Sequence, residues 1–202
     1  MKLFFAPGAC SLSPHIVLLE AGVPFTKERV DLKSKKTENG SDYLAVNSKG
    51  AVPALQLDNG TVLTEGAVIT QYIADQRPDS TLAPRAGTME RYRLMELLNY
   101  IATEVHKGFG PLFNPNASSE WKEAAVAALS AKFDWLSGYL GNKTYLLGDT
   151  FTLPDAYLFT VLNWTPRVGI DLKKWPILSA YHARVAQRPK VLEAMKAEGL
   201  LR

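Results

Sequence analysis

The chain has 202 residues, 47% hydrophobic, 21% charged and 10% aromatic, with a formal net charge of +3. This is the composition of a water-soluble globular chain, and it excludes a disordered tail, a collagen-like repeat and a disulfide scaffold. Charges balance within residues 1–78 and the surplus falls in the remainder, so neither part is basic enough for a nucleic-acid partner.

Leu3–Phe5 reads as a short buried strand, stopped by Pro7-Gly8. Ser11 and Ser13 offer N-caps and Pro14 suits a first turn. Leu12, Ile16, Leu19 and Val23 then recur at helical spacing, with Gly22 fitting the helix end. Phe25–Val30 alternates and predicts a second strand. Residues 33–50 are polar and irregular, with one helical turn near Asp42–Ala45; the cluster of Lys33, Lys35 and Lys36 reads as a solvated loop or, alternatively, as a hold for a small carboxylate ligand. Ala54–Leu57 and Thr61–Thr64 flank Asp58-Asn59-Gly60, the signature of a hairpin. Glu65–Gln76 is helical, with Val68, Ile69, Tyr72 and Ile73 on one face. The order β-α-β, crossover, β-β-α predicts a mixed sheet: a right-handed parallel unit extended by an antiparallel hairpin.

A linker stretch spans 77–88, and no strand pattern follows residue 64. A long helix carries Leu94, Leu97, Leu98, Ile101 and Val105 on one face until Pro111 and Pro115 break it. Glu120–Leu140 is a second long helix. Thr152-Leu153-Pro154-Asp155 opens a third with a capping-box variant, and two short helices interrupted by Pro176 and Pro189 finish the chain. The fold class is α+β, with domains at 1–78 and 87–202 about a linker at 79–86.

Cys10 is the only cysteine, so there is no intramolecular disulfide and no cysteine-rich zinc site, and the three histidines lack ligand spacing. The apolar runs fall short of the ~18 residues of a membrane span. Lys2 precedes only Leu3–Ala6 before the Pro7-Gly8 break, unlike a secretory signal. A reducing, cytoplasmic setting is the expectation. Cys10 stands at the start of a helix, where unpaired N–H groups and the helix dipole favour a thiolate; the alternative is a buried structural cysteine. Val52-Pro53 precedes the third strand. A cis peptide there turns the Val52 backbone toward an extended ligand, whereas a trans proline makes an ordinary turn. Thr64-Glu65-Gly66 leads from a strand into a helix. Its first-turn N–H groups suit a carboxylate and Glu65 an ammonium, the two ends of an α-amino acid; alternatively Glu65 only complements the dipole. Asn99, Thr103 and His106 form a polar stripe on the long helix, beside Lys107, which a solvated face also explains. His15 and His182 read as structural.

These residues resemble a family over essentially the whole length. Ala6-Pro7-Gly8-Ala9-Cys10-Ser11-Leu12-Ser13-Pro14-His15, Lys49-Gly50-Ala51-Val52-Pro53-Ala54-Leu55 and Leu63-Thr64-Glu65-Gly66 occur in order. Leu98-Asn99-Tyr100, Glu104-Val105-His106-Lys107-Gly108 and Phe151-Thr152-Leu153-Pro154-Asp155-Ala156-Tyr157-Leu158-Phe159 follow. Together they are similar to the cytosolic glutathione S-transferases, specifically the bacterial beta class. The resemblance implies a thioredoxin-like N-terminal domain, an all-α C-terminal domain carrying the electrophile pocket near Phe109–Phe113 and Trp164, and a homodimer. It implies a detoxifying enzyme that conjugates reduced glutathione to small hydrophobic electrophiles, with glutathione as co-substrate and no metal or redox cofactor. It puts Cys10 and His106 beside the glutathione sulfur, Val52 ahead of a cis Pro53 on the cysteinyl backbone, and Glu65 and Gly66 on the γ-glutamyl end. Lys35 and Lys107 would serve the glycine end or sulfur region, and Asn99 would reach the neighbouring subunit's site. Thr152 and Asp155 match the family's helix-capping pair.

One departure is chemical. Related sequences often carry Tyr near the end of the first strand, where this chain has Phe4 and Phe5. A phenol mechanism is out of reach, leaving Cys10 and His106, with Ser11 or Ser13 as substitute hydroxyls. Two rival functions remain: a glutathione-dependent thiol–disulfide oxidoreductase or peroxidase working through Cys10, and a non-catalytic binder of hydrophobic ligands.

Overall fold

A computed structural model describes residues 1–201. Their contacts form two compact units, Met1–Ala83 with Gln187–Arg202, and Pro84–Ala186. The final helix was expected in the helical domain; it groups instead with the sheet, for reasons visible in its packing.

The first unit holds strands β1 (Lys2–Phe5), β2 (Thr26–Asp31), β3 (Lys36–Thr37), β4 (Ala54–Gln56) and β5 (Val62–Thr64) in the spatial order β3-β2-β1-β4-β5. Only β1 and β2 run parallel, with Leu3 opposite Lys27; β1–β4, β4–β5 and β2–β3 are antiparallel. The Asn-Gly signal is obeyed: Gly60 takes a positive φ of 85° and the Asn59 side chain accepts from Thr61 N. The central strand is apolar throughout Leu3–Phe5 because both of its faces are covered: Phe4 packs with Tyr43 and Val52, and Phe5 meets His15. The two-residue β3 was not foreseen; it lies in the polar 33–50 stretch, where no alternation marks it.

Helix α1 (Leu12–Ala21) was expected to bury one face. It buries eight of its ten residues. It packs against both α2 (Gly66–Asp75) and α8 (Pro189–Ala197), so little of its surface remains for solvent. Helix α8 adds Val191 and Ala194 to the core, and Arg188 forks onto Glu20 at 2.8 and 2.9 Å. On α2, Ile69 and Ile73 are buried as expected, but Val68 is exposed.

The second unit contains α3 (Met89–Tyr100), a π-helical stretch at Ile101–His106, α4 (Gly110–Phe113), α5 (Ser119–Leu140), α6 (Leu153–Leu162) and α7 (Pro176–Ala186). Thr88 and Ser118 cap α3 and α5 by accepting from Arg91 N and Trp121 N. All ten residues of α6 are buried. Its Asp155 accepts from Thr152 N and Oγ1, Leu146 N and Tyr181 OH at 2.8–2.9 Å. Burial nonetheless holds the Asp155 carboxyl above its ordinary value against these donors. Pro176 and Pro189 open α7 and α8 rather than interrupting them, since a missing N–H costs nothing at a first turn. Among the described residues no helix is long and apolar enough to cross a membrane.

Candidate active site

In the first unit three turns bring the nominated residues together. The chain leaves β1 through Ala6–Cys10, where Gly8 has φ 69° and Ala9 N donates to Ala6 O at 3.0 Å. Cys10 precedes Ser11, which occupies the N-cap position of α1. The thiol Sγ donates to the Val52 carbonyl oxygen at 3.1 Å. That oxygen is a partner for S–H and offers nothing to a thiolate, so it works against the helix N-terminus that favours the anion. Ser11 does not cap the helix: its hydroxyl accepts from Ala6 N and donates to Ala6 O, at 3.1 and 3.2 Å, tying the turn to the strand end. Ser11 and Ser13 are both buried, so neither hydroxyl is presented as the substitute for the missing phenol.

The Val52-Pro53 peptide is cis. The loop before it is held by the Ala51 carbonyl, which accepts from Tyr43 OH and Asn47 Nδ2 at 2.8 Å each. Burial pushes the Tyr43 phenol up, so it stays a donor across the working pH range. Lys35 lies over the same loop. Its Nζ donates to the Gly50 carbonyl at 2.7 Å, and its own backbone is left-handed at φ 57°. Gly50 is required there: φ is +61°, and a Cβ would meet the Lys35 and Leu44 side chains at 3.2 Å.

Glu65 stands between β5 and α2 with φ 69°, a conformation that costs an ordinary residue energy and is found mainly where surroundings or function demand it. Its carbonyl accepts from Val68 N and Ile69 N at 2.9 Å, which leaves Gly66 at the open first turn. Its carboxylate pairs with Lys49, whose Nζ also donates to Thr64 Oγ1 at 2.7 Å. The two charged side chains are 51% and 69% exposed, so the pair contributes little to stability and is accessible to a ligand. Lys49 was not singled out from the sequence; a lone lysine 16 residues from its partner carries no local signal.

The second unit holds Asn99, His106 and Lys107. Asn99 and Lys107 are exposed, and Asn99 O accepts from Thr103 Oγ1 at 3.0 Å. The continuous α-helix read over this region is corrected at 101–106, where the backbone widens to a π-helix and resets the stripe's spacing. Gly108 follows; a Cβ there would come within 2.8 Å of Leu129 Cδ2, so glycine permits this close approach to α5. His106 is fixed by rings. Its Nδ1 lies 2.7 Å from Tyr157 OH, and Tyr157 and Trp164 meet the imidazole edge-on at 5.9 and 4.8 Å. Phe109 and Phe113 meet Trp164 at 5.5 and 5.7 Å, so the rings expected to form an apolar pocket do gather beside His106. Tyr157 was missed because its partner lies 51 positions away and nothing local distinguishes it from core. A separate open groove of about 410 Å³ on this unit is lined by Leu112, Lys122, Glu123, Val126, Ala127 and Val168; of these only Leu112 falls within the nominated stretch Phe109–Phe113.

Comparison with known proteins agrees over both units. The family model described as glutathione S-transferase, N-terminal domain matches residues 8–76, and that of the C-terminal domain matches residues 100–189. The chain is 50% identical over 200 residues to glutathione S-transferase GstA of Escherichia coli O157:H7, covering 99% of this chain and 100% of that one. It is similar to the solved bacterial beta-class glutathione S-transferase of Sphingomonas chungbukensis, with TM-score 0.96, 51% identity and 100% of each chain covered. It is also similar to a sphingomonad glutathione S-transferase solved in complex with glutathione, with TM-score 0.96, 48% identity and 100% of each chain covered.

Proposed function

The chain belongs to the glutathione S-transferase family, and we propose that it joins the sulfur of reduced glutathione to small hydrophobic electrophiles through the residues described above. The observation that carries the residue assignment is the meeting of Cys10 Sγ with the Val52 carbonyl beside a cis Pro53, next to a helix that opens on Glu65-Gly66. An extended peptide thiol fits this arrangement. Its backbone pairs with Val52, its α-ammonium with Glu65, and its α-carboxylate with the first-turn N–H groups at Gly66. Lys35 and Lys107 supply positive charge for the remaining carboxylate.

A free thiol with pKa near 8.5 is mostly protonated at neutral pH, so the enzyme must favour the thiolate of its substrate. His106 supplies a group that accepts or donates a proton at the glutathione sulfur, its ring orientation set by Tyr157. The electrophile meets the apolar rings of Phe109, Phe113 and Trp164. Asn99 acts from one subunit on the site of its neighbour in a cytoplasmic homodimer. Light scattering at micromolar concentration should then give about twice the chain mass of 22.3 kDa.

The decisive experiment is a conjugation screen over halogenated aromatics, epoxides and disulfides, run with glutathione binding by calorimetry. Turnover of an electrophile with glutathione is expected. Glutathione binding without turnover of any class would leave a ligand carrier instead. Turnover of disulfides alone, lost in Cys10→Ala, would favour the oxidoreductase reading. In that route the Cys10 thiolate attacks a glutathione disulfide, releasing one glutathione and keeping the other as a mixed disulfide.

A further inference from the structure

The turn that carries Cys10 is held from the far end of the sequence. Gly8 N donates to Glu198 Oε2 at 2.9 Å, across 190 positions. The other carboxylate oxygen lies 2.8 Å from His15 Nδ1 on α1. The His15 and Glu198 side chains are 2% and 0% exposed. A carboxylate withdrawn from water persists only where its oxygens are paired, and one of these pairs is made with the backbone of the Cys10 turn.

Docking of α8 has other anchors that do not touch this turn. Arg188 forks onto Glu20, Lys27 Nζ donates to Ala197 O at 2.8 Å, and Val191 and Ala194 are buried. The carboxylate at the C-cap of α8 therefore has a separate consequence, the placement of Gly8. From Gly8 the chain has two residues to reach Cys10, whose Sγ must arrive 3.1 Å from the Val52 carbonyl. Ser11 ties the other end of the turn to Ala6. A turn pinned at both ends leaves its middle little freedom.

We propose that Glu198 is a positioning residue for the reaction: its carboxylate, oriented by His15, fixes the Gly8 N–H and so aims the Cys10 turn at the Val52 carbonyl. The link to catalysis rests on the function proposed above; the hold on the turn does not.

The test measures amide hydrogen exchange by NMR on the full chain, alongside kcat and KM for conjugation. Glu198→Ala should speed exchange of the Gly8–Cys10 amides by about ten-fold or more, with β1 and the middle of α1 changed by less than about two-fold. It should lower kcat by about five- to twenty-fold and leave KM for glutathione within about three-fold, since a small misplacement of the Cys10 turn beside the glutathione sulfur acts on the chemical step. Arg188→Ala, which loosens the same helix elsewhere, should speed exchange in α8 and spare the turn. If both variants speed the turn equally, or neither does, Glu198 only docks the helix and the proposal fails. If Glu198→Ala does not fold, Glu198→Gln decides. Its amide oxygen is a weaker acceptor than a carboxylate, so turn exchange should rise by about two- to five-fold; no rise overturns the proposal. Should the wild type lack transferase activity, the exchange data still decide whether Glu198 holds the turn, and the failure belongs to the proposed function alone.

Discussion

The two units present their nominated residues by opposite means. In the sheet-bearing unit the site is mostly backbone at special positions: Gly8 and Glu65 at positive φ, the cis Val52-Pro53 peptide, and the opening of α2 at Gly66. The side chains there, Glu65 and Lys49, are exposed and lightly held. In the helical unit the site is a side chain, His106, set by a buried hydroxyl and the faces and edges of rings. Backbone geometry suits the invariant part of a peptide substrate, whose amides and termini do not change. A ring cluster suits an electrophile recognised by apolar surface, and it can be retuned by substitution without disturbing the turns. Mutations should accordingly separate binding from stability in the first unit and couple stability to catalysis in the second.

The strongest coupling is expected at Asp155, which accepts four hydrogen bonds in the interior of the helical unit. Asp155→Ala strands these donors in a buried site and should cost about 3–5 kcal/mol by denaturant titration. A loss below about 1 kcal/mol would mean that water replaces the carboxylate and that the helical unit is less dependent on its buried polar centre than described. In the other unit, Glu65→Ala should weaken glutathione binding by about 2–4 kcal/mol by calorimetry, the effect of losing a charge partner that the ligand covers. Stability should change by less than about 1 kcal/mol, because the Lys49 pair is exposed. Unchanged affinity would remove the γ-glutamyl end from Glu65.

His106→Ala should lower kcat/KM by about a hundred-fold, the scale of a positioned acid or base, while the glutathione adduct on Cys10 still forms and is seen by mass spectrometry. Tyr157→Phe keeps the ring packing and removes only the hydroxyl 2.7 Å from Nδ1. A loss of about ten-fold in kcat, with KM little changed, is expected from an imidazole freed to turn. Equal activity of this variant and wild type would show that the rings alone hold His106.

How much of this was legible follows from the same contrast. Turns advertise themselves locally. Pro7-Gly8, Val52-Pro53, Asn59-Gly60 and Thr152 with Asp155 sit at or within three residues of the structure they specify, so four of the five strands, the hairpin and the α6 cap could be read in order. Position alone nominated Cys10, Val52-Pro53, Glu65-Gly66 and the Asn99–His106 stripe, each beside a purely structural alternative, and the family resemblance supplied the choice between them. What stayed hidden depends on distant neighbours. The all-round burial of α1 needs α8, whose N-cap Arg188 lies 168 residues after the Glu20 that anchors it. The Lys49–Glu65 pair, the Tyr157–His106 bond and the Glu198–Gly8 bond each join segments with no shared pattern. The π-helical turn is a backbone adjustment that side-chain periodicity over 101–106 does not register.

The smallest expected effect is a pH response confined to the helical unit. His182 stacks on Phe159 at 4.9 Å and 19°, and its Nε2 lies 2.9 Å from Asn163 Oδ1. A carbonyl oxygen can only accept, so Nε2 carries the proton in the neutral ring. Burial disfavours the imidazolium and lowers the His182 pKa below its ordinary value of 6.5. The unfolded chain titrates at that ordinary value, so it binds a proton more readily than the folded chain does. The stability contributed by keeping His182 neutral is therefore complete above 6.5 and is lost as pH falls from there through the lower folded value. His182→Gln keeps a donor toward Asn163 and cannot titrate. The drop in denaturant midpoint between pH of about 7.5 and about 5.5 should be smaller in this variant than in wild type. The substitution changes residue 182 alone, so the difference between the two drops isolates His182. Identical drops would show that the half-buried ring accepts its proton without opening the unit, and that the acid response arises elsewhere.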